Sequence, residues 1–202
     1  MGHLYWLGGS PCGGKSSVAE TLSAQHGINY FKIDDHIEQC LQRVTAEEQP
    51  YLDQWKISSG DERWMLPIEI LLQNAIGCYR EHFQMLLPEI LNLPTQPTLI
   101  EGNPVFPDQC IQLRIPPSKA LWLIATPDFL RAQYARRDWI PRVLADCKNP
   151  RQAFDNWIER DVRFADWIRQ ECLKNGYTYH ETSEQRSLDE NIASVAHFFN
   201  LP

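Results

Sequence analysis

The stretch HLYWLGGSPCGGKSSVAETL, residues 3–22, places a glycine-rich loop between an apolar run and an amphipathic one. The short apolar run before the loop predicts a strand, and the amphipathic pattern after it predicts a helix. The loop itself fits the Walker A pattern G-x-x-x-x-G-K-[ST]. Its residues are Gly9, Ser10, Pro11, Cys12, Gly13, Gly14, Lys15 and Ser16, followed by Ser17.

Each residue type in this loop has a physical role. The glycines let the backbone curl until its N–H groups point inward at phosphate oxygens. The following helix presents free N–H groups and its positive dipole end to the same phosphates. Lys15 reaches the β- and γ-phosphates, and the Ser16 hydroxyl ligates Mg²⁺. We therefore interpret residues 9–17 as a phosphate-binding loop, with a chance loop as the alternative.

The composition is that of one globular domain. The chain has 202 residues, 43% of them hydrophobic and 22% charged, which is enough for a full core. The net charge of -7 disfavours nucleic acid as a partner. Six cysteines without a CxxC pair argue against zinc and for reduced thiols. Without a bilayer-length apolar run or a signal-peptide pattern, we expect a cytoplasmic monomer or homodimer with no membrane partner.

Short apolar runs alternate with helical patterns along the whole chain. The predicted strands are His3–Leu7, Asn29–Ile33, Thr98–Glu101, Leu121–Ala125 and Tyr177–His180. The predicted helices are Lys15–Gln25, Asp35–Arg43, Glu62–Leu91, Pro127–Arg137, Arg151–Asn175 and Leu188–Phe199, with Pro67 and Pro88 as possible breaks in the third. This alternation predicts an α/β fold with a mostly parallel sheet.

Two connections are too long for simple crossovers. The first, residues 34–96, is helical and rich in aromatics, and the second, from about residue 136 to 175, is rich in arginine. Signals of GTPases (N-K-x-D) and of helicase-type ATPases (an apolar run before Asp-Glu) are missing from the sequence. Insertions of this kind beside a sheet's carboxyl edge often form lids or binding walls.

With this layout the chain resembles the small P-loop kinases: adenylate, shikimate, gluconate and nucleoside kinases. The resemblance is specific in residues 4–20 and, less so, in residues 29–38. It implies a three-layer sandwich with a five-stranded parallel sheet, in a single domain over residues 1–202. It also implies an acceptor-binding insertion at about 36–96, a lid at about 136–163, and transfer of the ATP γ-phosphoryl to a small-molecule hydroxyl with Mg²⁺.

The stretch FKIDDHIE, residues 31–38, ends the second predicted strand with two acids. Resembling enzymes keep an acid here that meets the acceptor hydroxyl, and comparison with them favours Asp34 as the catalytic base. Asp35 then caps the next helix or supports the water shell of the metal. Helix capping alone is the competing interpretation of both acids.

Other candidates follow the later strands. Glu101 ends the third strand, where an acid can hold a Mg²⁺-bound water, although an exposed turn residue is an equal alternative. Gly102 and Asn103, just beyond it, are candidate contacts for acceptor or phosphate. In the lid region the resemblance favours Arg160 and the Arg136–Arg137 pair as phosphate contacts, against a solvated helical face.

Four further residues are candidates for the site or its surroundings. Tyr134 lies about where relatives place an adenine-stacking residue, and the alternative is a core tyrosine. Cys12, at a helix N-terminus, is expected to have a lowered thiol pKa. An apolar stripe at helical spacing in the first insertion is interpreted as core; it consists of Leu72, Ile76, Tyr79, Phe83, Leu86 and Ile90. Trp55 and Trp64 lie outside this stripe and are candidates for lining the acceptor pocket.

The sequence leaves several functions open. A nucleotide-binding sensor or partner-binding module would need the phosphate loop but no acceptor. A nucleoside monophosphate kinase would need a site for an anionic acceptor, which the arginines favour and the Asp34–Asp35 pair disfavours. Neither the acceptor nor the choice between ATP and GTP follows from these patterns.

Overall fold

The computed structural model describes residues 2–201 and contains five strands and ten α-helices within that range. The strands are β1 (Leu4–Gly9), β2 (Asn29–Lys32), β3 (Thr98–Glu101), β4 (Ala120–Ala125) and β5 (Thr178–Thr182). The helices are α1 (Lys15–His26), α2 (Ile37–Leu41), α3 (Pro50–Ile57), α4 (Gly60–Trp64), α5 (Ile68–Leu91), α6 (Pro107–Gln112), α7 (Pro127–Ala135), α8 (Ile140–Val143), α9 (Pro150–Asn175) and α10 (Leu188–Phe199).

All five strands form one parallel sheet in the order β2-β3-β1-β4-β5. Every residue of β4 is buried, because helices cover both faces of a parallel sheet. In the register, Leu7 lies beside Glu101 on β3 and beside Leu121 on β4. The carboxyl ends of β1, β3 and β2 therefore meet at one edge, as the predicted α/β fold requires.

Helices pack on both faces of the sheet and make three layers. On one face, α1 and α10 bury Val18, Leu22 and Val195 against the sheet. On the other face, α5, α6 and α9 surround a larger core that includes Trp6 and Trp122. The three-layer sandwich with a five-stranded parallel sheet is thus confirmed.

The helices of the two insertions differ from those that the sequence predicts. The helix predicted over residues 62–91 is two helices, because Pro67 cannot continue a hydrogen-bonded turn and instead precedes α5. Pro88 lies inside α5 and does not end it. Ser59 and Glu62 form the capping box of α4, as the S-x-x-E spacing indicates. Helices α3, α6 and α8 were not predicted, since each spans eight residues or fewer.

Asp35 does not cap a helix. It lies in a 3₁₀ turn over Ile33–His36, and no side chain caps either this turn or α2. The capping role expected for Asp35 is therefore wrong. None of the helices within residues 2–201 is long and apolar enough to cross a membrane.

Candidate active site

The glycine-rich loop joins β1 to α1 and is tied to the neighbouring strands. The Ser10 backbone N–H donates to the Leu123 carbonyl (3.1 Å), and the Ser10 hydroxyl accepts from the Ala125 N–H (2.8 Å). The Thr182 hydroxyl donates to the Gly13 carbonyl (3.0 Å). Contacts to β4 and β5 thus hold the loop in a fixed shape at the edge of the sheet.

Glycine is required at two positions of the loop. Gly9 has φ 139° and a Cβ there would lie 1.9 Å from the Leu123 carbonyl oxygen, while Gly14 has φ 78°. Among the described residues, no group accepts a hydrogen bond from the backbone N–H of Gly14, Lys15 or Ser16. The start of α1 therefore presents free donors to an anion.

Lys15 is buried at the base of the loop. Its ammonium donates to the Ser10 carbonyl (2.8 Å) and to Asn103 Oδ1 (2.7 Å). Burial lowers its pKa, and the nearby carboxylates of Glu101 and Asp34 oppose that shift. The lysine is thus held in place before any ligand binds.

Glu101 is fully buried at the end of β3. Its Oε2 accepts from the Tyr30 hydroxyl (2.8 Å) and the Ser16 hydroxyl (3.2 Å), and its Oε1 has no partner within residues 2–201. Burial raises the pKa of Glu101, and Lys15 opposes the rise. An unpartnered carboxylate oxygen beside a serine hydroxyl fits a cation that prefers oxygen ligands, such as Mg²⁺.

Two clefts open on either side of the loop. The first, which we call the loop cleft, measures about 340 Å³. It is lined by Cys12, Gly13, Gly14, Lys15, Ser16, Ser17, Phe129, Gln133, Arg137, Thr182, Arg186, Leu188 and Asn191. The second, which we call the Asp34 cleft, measures about 260 Å³. It is lined by Pro11, Cys12, Lys15, Ser16, Asp34, Tyr79, Glu101, Asn103, Tyr134, Arg137, Trp157, Arg160 and Asp161.

Asp34 and Asp35 diverge in their surroundings. Asp34 opens into the Asp34 cleft, where desolvation raises its pKa and Lys15 and Lys32 oppose the rise. Its exposure to cleft water limits that rise. Asp35 lines neither cleft; its side chain is 68% exposed and pairs with Lys32 at 3.8 Å. The structure therefore brings Asp34, but not Asp35, to Ser16 and Glu101.

Arg160 is held by a buried network on α9. Its Nε lies 2.6 Å from Asp161 Oδ1, and its guanidinium lies over the Trp64 ring at 5.2 Å. Asp161 Oδ2 also accepts from the hydroxyl of Tyr134 and from Trp157 Nε1 (3.1 Å). Asp161 therefore holds Arg160 in position at the edge of the Asp34 cleft.

The other arginines separate into two groups. Arg137 borders both clefts and stacks on the rings of Tyr134 and Trp139. Arg136 is exposed and lines neither cleft, and Arg163 forms surface ion pairs with Glu69 and Glu159. Of the candidate lid arginines, the clefts thus contain Arg137 and Arg160.

Three sequence-based expectations for this region need correction. The Tyr134 ring is only 3% exposed and packs in a core cluster, so it presents no free face to an adenine. Burial raises the pKa of Cys12, which is the reverse of the expected reactive thiol. Trp55 lines neither cleft, and Trp64 lies behind the wall, stacked on Trp157 at 4.4 Å.

Sequence reasoning missed several lining residues. Tyr79 follows the apolar stripe of α5 and was interpreted as core, yet it reaches the Asp34 cleft. Its hydroxyl accepts from Asn103 Nδ2 at 3.4 Å. Phe129 and Leu188 border the loop cleft from α7 and α10, and nothing in their local sequence pattern indicates that position. Asp161 could have been identified from the sequence by its position next to Arg160, a candidate phosphate contact.

The fold has solved counterparts, although no protein-family model and no curated protein matches the sequence. Shikimate kinase from Bacteroides thetaiotaomicron superposes with a TM-score of 0.55 at 13% identity, over 98% of each chain. Shikimate kinase from Acinetobacter baumannii, solved with shikimate, gives a TM-score of 0.52 at 16% identity, over 98% of this chain and 92% of the other. The chain therefore shares the fold of these two solved structures, a five-stranded parallel sheet with helices on both faces.

Proposed function

We propose that this chain is an ATP-dependent phosphotransferase that moves the γ-phosphoryl group to a hydroxyl of a small-molecule acceptor. One observation carries the proposal: the loop cleft and the Asp34 cleft share Cys12, Lys15, Ser16 and Arg137. A phosphoryl group held at that junction would face the phosphate loop on one side and an open carboxylate on the other. This arrangement suits a donor and an acceptor bound end to end.

The loop cleft suits the nucleotide. Its phosphates would accept hydrogen bonds from the free N–H groups at the start of α1 and from Lys15. Phe129 on α7 and Leu188 on α10 offer apolar surface to the base, and Arg186 adds positive charge. This arrangement suits a nucleoside triphosphate, and ATP is the donor that we propose.

Mg²⁺ would be held by the hydroxyl of Ser16, with Glu101 contacting it directly or through a bound water. Magnesium supplies positive charge that offsets the charge of the triphosphate. No cluster of three or more His, Cys, Asp or Glu in residues 2–201 could hold a metal by protein groups alone. A Mg²⁺ site of this kind usually takes most of its remaining ligands from phosphate and water. Asp35, outside both clefts, receives no metal role in this proposal.

Asp34 is the proposed base. As the acceptor oxygen attacks the γ-phosphorus, its hydroxyl proton passes to the Asp34 carboxylate, and the bond to the β-phosphate oxygen breaks to release ADP. Arg137 and Arg160 border the same space and would stabilise the charge of the transferring group. Tyr134 and Asp161 act as positioning residues for these two arginines.

The test is ADP release from Mg-ATP during a screen of hydroxyl compounds, with the phosphorylated product identified by mass spectrometry. We expect at least one compound to accelerate ADP release well above the rate with water alone. Lys15→Ala is the control and should abolish the acceleration. Tight nucleotide binding without acceleration by any compound would favour a sensor or a partner-binding module instead.

A further inference from the structure

We infer that the Asp34 cleft takes an acceptor without an anionic group, either a neutral polyol or an amino alcohol. This inference rests on the proposed phosphotransferase function and names the class of its acceptor. It excludes hydroxy acids and phosphorylated acceptors, including nucleoside monophosphates. The charges that line the cleft carry the argument.

One of the two arginines that line the cleft is already paired with a buried carboxylate. Arg160 is 13% exposed and pairs with Asp161, which is 2% exposed, through a 2.6 Å contact. The guanidinium also lies over the ring of Trp64. A buried pair of this kind presents little net positive charge to a carboxylate or phosphate in the cleft.

The other two cations face the phosphoryl group rather than the acceptor. Lys15 is bonded to the Ser10 carbonyl and to Asn103 at the base of the loop. Arg137 borders both clefts, at their junction. With a triphosphate bound, both charges are opposed by its phosphate oxygens, so neither remains free for an anionic acceptor.

Asp34 is the carboxylate of the cleft that no cation contacts directly. It opens into the cleft, and within residues 2–201 no ion pair or hydrogen bond engages its carboxylate, while the charges of Lys15 and Lys32 act on it from a greater distance. An anionic group in a cleft of about 260 Å³ would lie close to both Asp34 and the triphosphate. Like charges a few ångström apart in a partly buried site weaken binding by about 100-fold or more.

The remaining polar groups suit hydroxyls. Tyr79 accepts from Asn103 Nδ2, so its own O–H hydrogen is free to point into the cleft. Asp34 offers acceptor oxygens, and the ring of Trp157 supplies an apolar wall. A volume of about 260 Å³ accommodates a compound of roughly six carbons.

The test uses matched triplets that share a carbon skeleton. Glucitol, 1-amino-1-deoxyglucitol and gluconate form one triplet, and sets with four and seven carbons extend it; a phosphorylated member is added to each. The readouts are ADP release and product mass. We expect kcat/KM for the best neutral or amino member to exceed that of its acid by at least about 100-fold. Preferred turnover of an acid or a phosphate ester overturns the inference and leaves the phosphotransferase proposal intact.

A charge variant supplies an independent readout. Asp161→Asn removes the partner of Arg160, so we expect the preference against acids to shrink by about tenfold or more. Asp166→Asn is the matched control, because Asp166 lies on the same helix, is 63% exposed and pairs only with Arg169. An unchanged preference in Asp161→Asn, with the fold verified by circular dichroism, contradicts the charge argument.

Failure of the proposed function can be separated from failure of this inference. If no triplet member is phosphorylated although Mg-ATP binds, the phosphotransferase proposal fails. Calorimetry then decides the inference, by titrating glucitol and gluconate into wild-type protein loaded with a non-hydrolysable ATP analogue. Tighter binding of glucitol supports the inference. Equal or tighter binding of gluconate, or binding of neither compound, overturns it.

Discussion

Two adjacent aspartates occupy different surroundings and should respond differently to the same substitution. Asp34 opens into the cleft beside Lys15, whereas Asp35 is exposed and pairs with Lys32. We expect Asp34→Asn to keep ATP affinity and to lower acceptor phosphorylation by ~10²-fold or more, the scale of a lost general base. Asp35→Asn is the matched control and should change turnover little and stability by less than about 0.5 kcal/mol.

Paired turnover assays and thermal melts on both variants measure these effects. A dead Asp35→Asn enzyme beside an active Asp34→Asn enzyme would reverse the assignment. Normal turnover in both variants would remove both residues from consideration as the base.

Tyr30 is a positioning residue for Glu101 that the sequence did not reveal. Its hydroxyl donates to Glu101 Oε2 and lowers the pKa of that carboxyl, against the larger rise caused by burial. Tyr30→Phe removes the donor, so the pKa of Glu101 rises further and protons compete better with Mg²⁺. We expect the Mg²⁺ concentration for half-maximal ATP binding to increase by about tenfold, the scale of a hydrogen bond to a charged group.

The increase in the Mg²⁺ concentration required by Tyr30→Phe should depend on pH. Protonation of Glu101 is favoured at lower pH, so the increase should be larger at pH 6 than at pH 8. Magnesium titrations of ATP binding at both values measure it. Tyr5→Phe serves as the control, because Tyr5 packs on Phe199 and lines neither cleft. A Tyr30→Phe variant with wild-type magnesium dependence at both pH values would contradict the role.

Among the elements, those built on local patterns could be predicted and those built on tertiary contacts could not. The loop between β1 and α1 follows from glycine geometry and lysine spacing, which a short stretch of sequence specifies. The role of Tyr79 depends on the rotation of α5 against the sheet, and its helical spacing alone made it look like core. Tyr134 depends in the same way on α9, which supplies the Asp161 that holds its hydroxyl.

Within the expected lid, we expect the segment between α7 and α9, residues 136–149, to respond most to nucleotide. By contrast, α9 packs on α5 and α6. The segment is also tied to α4: the Gly60 N–H donates to Asp146 (3.0 Å) and the Lys148 N–H donates to Asp61 (2.9 Å). Because these bonds join the segment to the first insertion, we expect a change in one to affect the other.

We expect a non-hydrolysable Mg-ATP analogue to slow hydrogen exchange in residues 136–149 and in α4 together, because Arg137 contacts the bound phosphates and orders both. Residues 150–163 should change less, since α9 is already packed. Exchange measured by mass spectrometry with and without the analogue tests this. Unchanged exchange in residues 136–149 at verified saturation would mean that the segment is no lid.

At the scale of the whole molecule, residues from the N-terminal and the C-terminal parts of the chain line the loop cleft together. The phosphate loop lies near the N-terminus, whereas Arg186 lies between β5 and α10 and Leu188 is the first residue of α10. The five-stranded order makes this possible, because β1 is central and β4 carries β5 beside it. The sequence predicted the strands but contained no signal for which distant residues would face the loop, since that depends on how α10 packs against α1.

Leu188 provides a test of this long-range arrangement. It is 46% exposed in the loop cleft, so its truncation should cost little stability while removing apolar surface from the proposed base site. We expect Leu188→Ala to weaken Mg-ATP binding by about fivefold, which corresponds to about 1 kcal/mol of apolar contact. Leu91→Ala is the matched control, because Leu91 is 47% exposed and lines neither cleft. Calorimetric titration of both variants measures the difference. Because tripolyphosphate lacks the base, its affinity should be unaffected by Leu188→Ala, and equal losses for ATP and tripolyphosphate would place the base elsewhere.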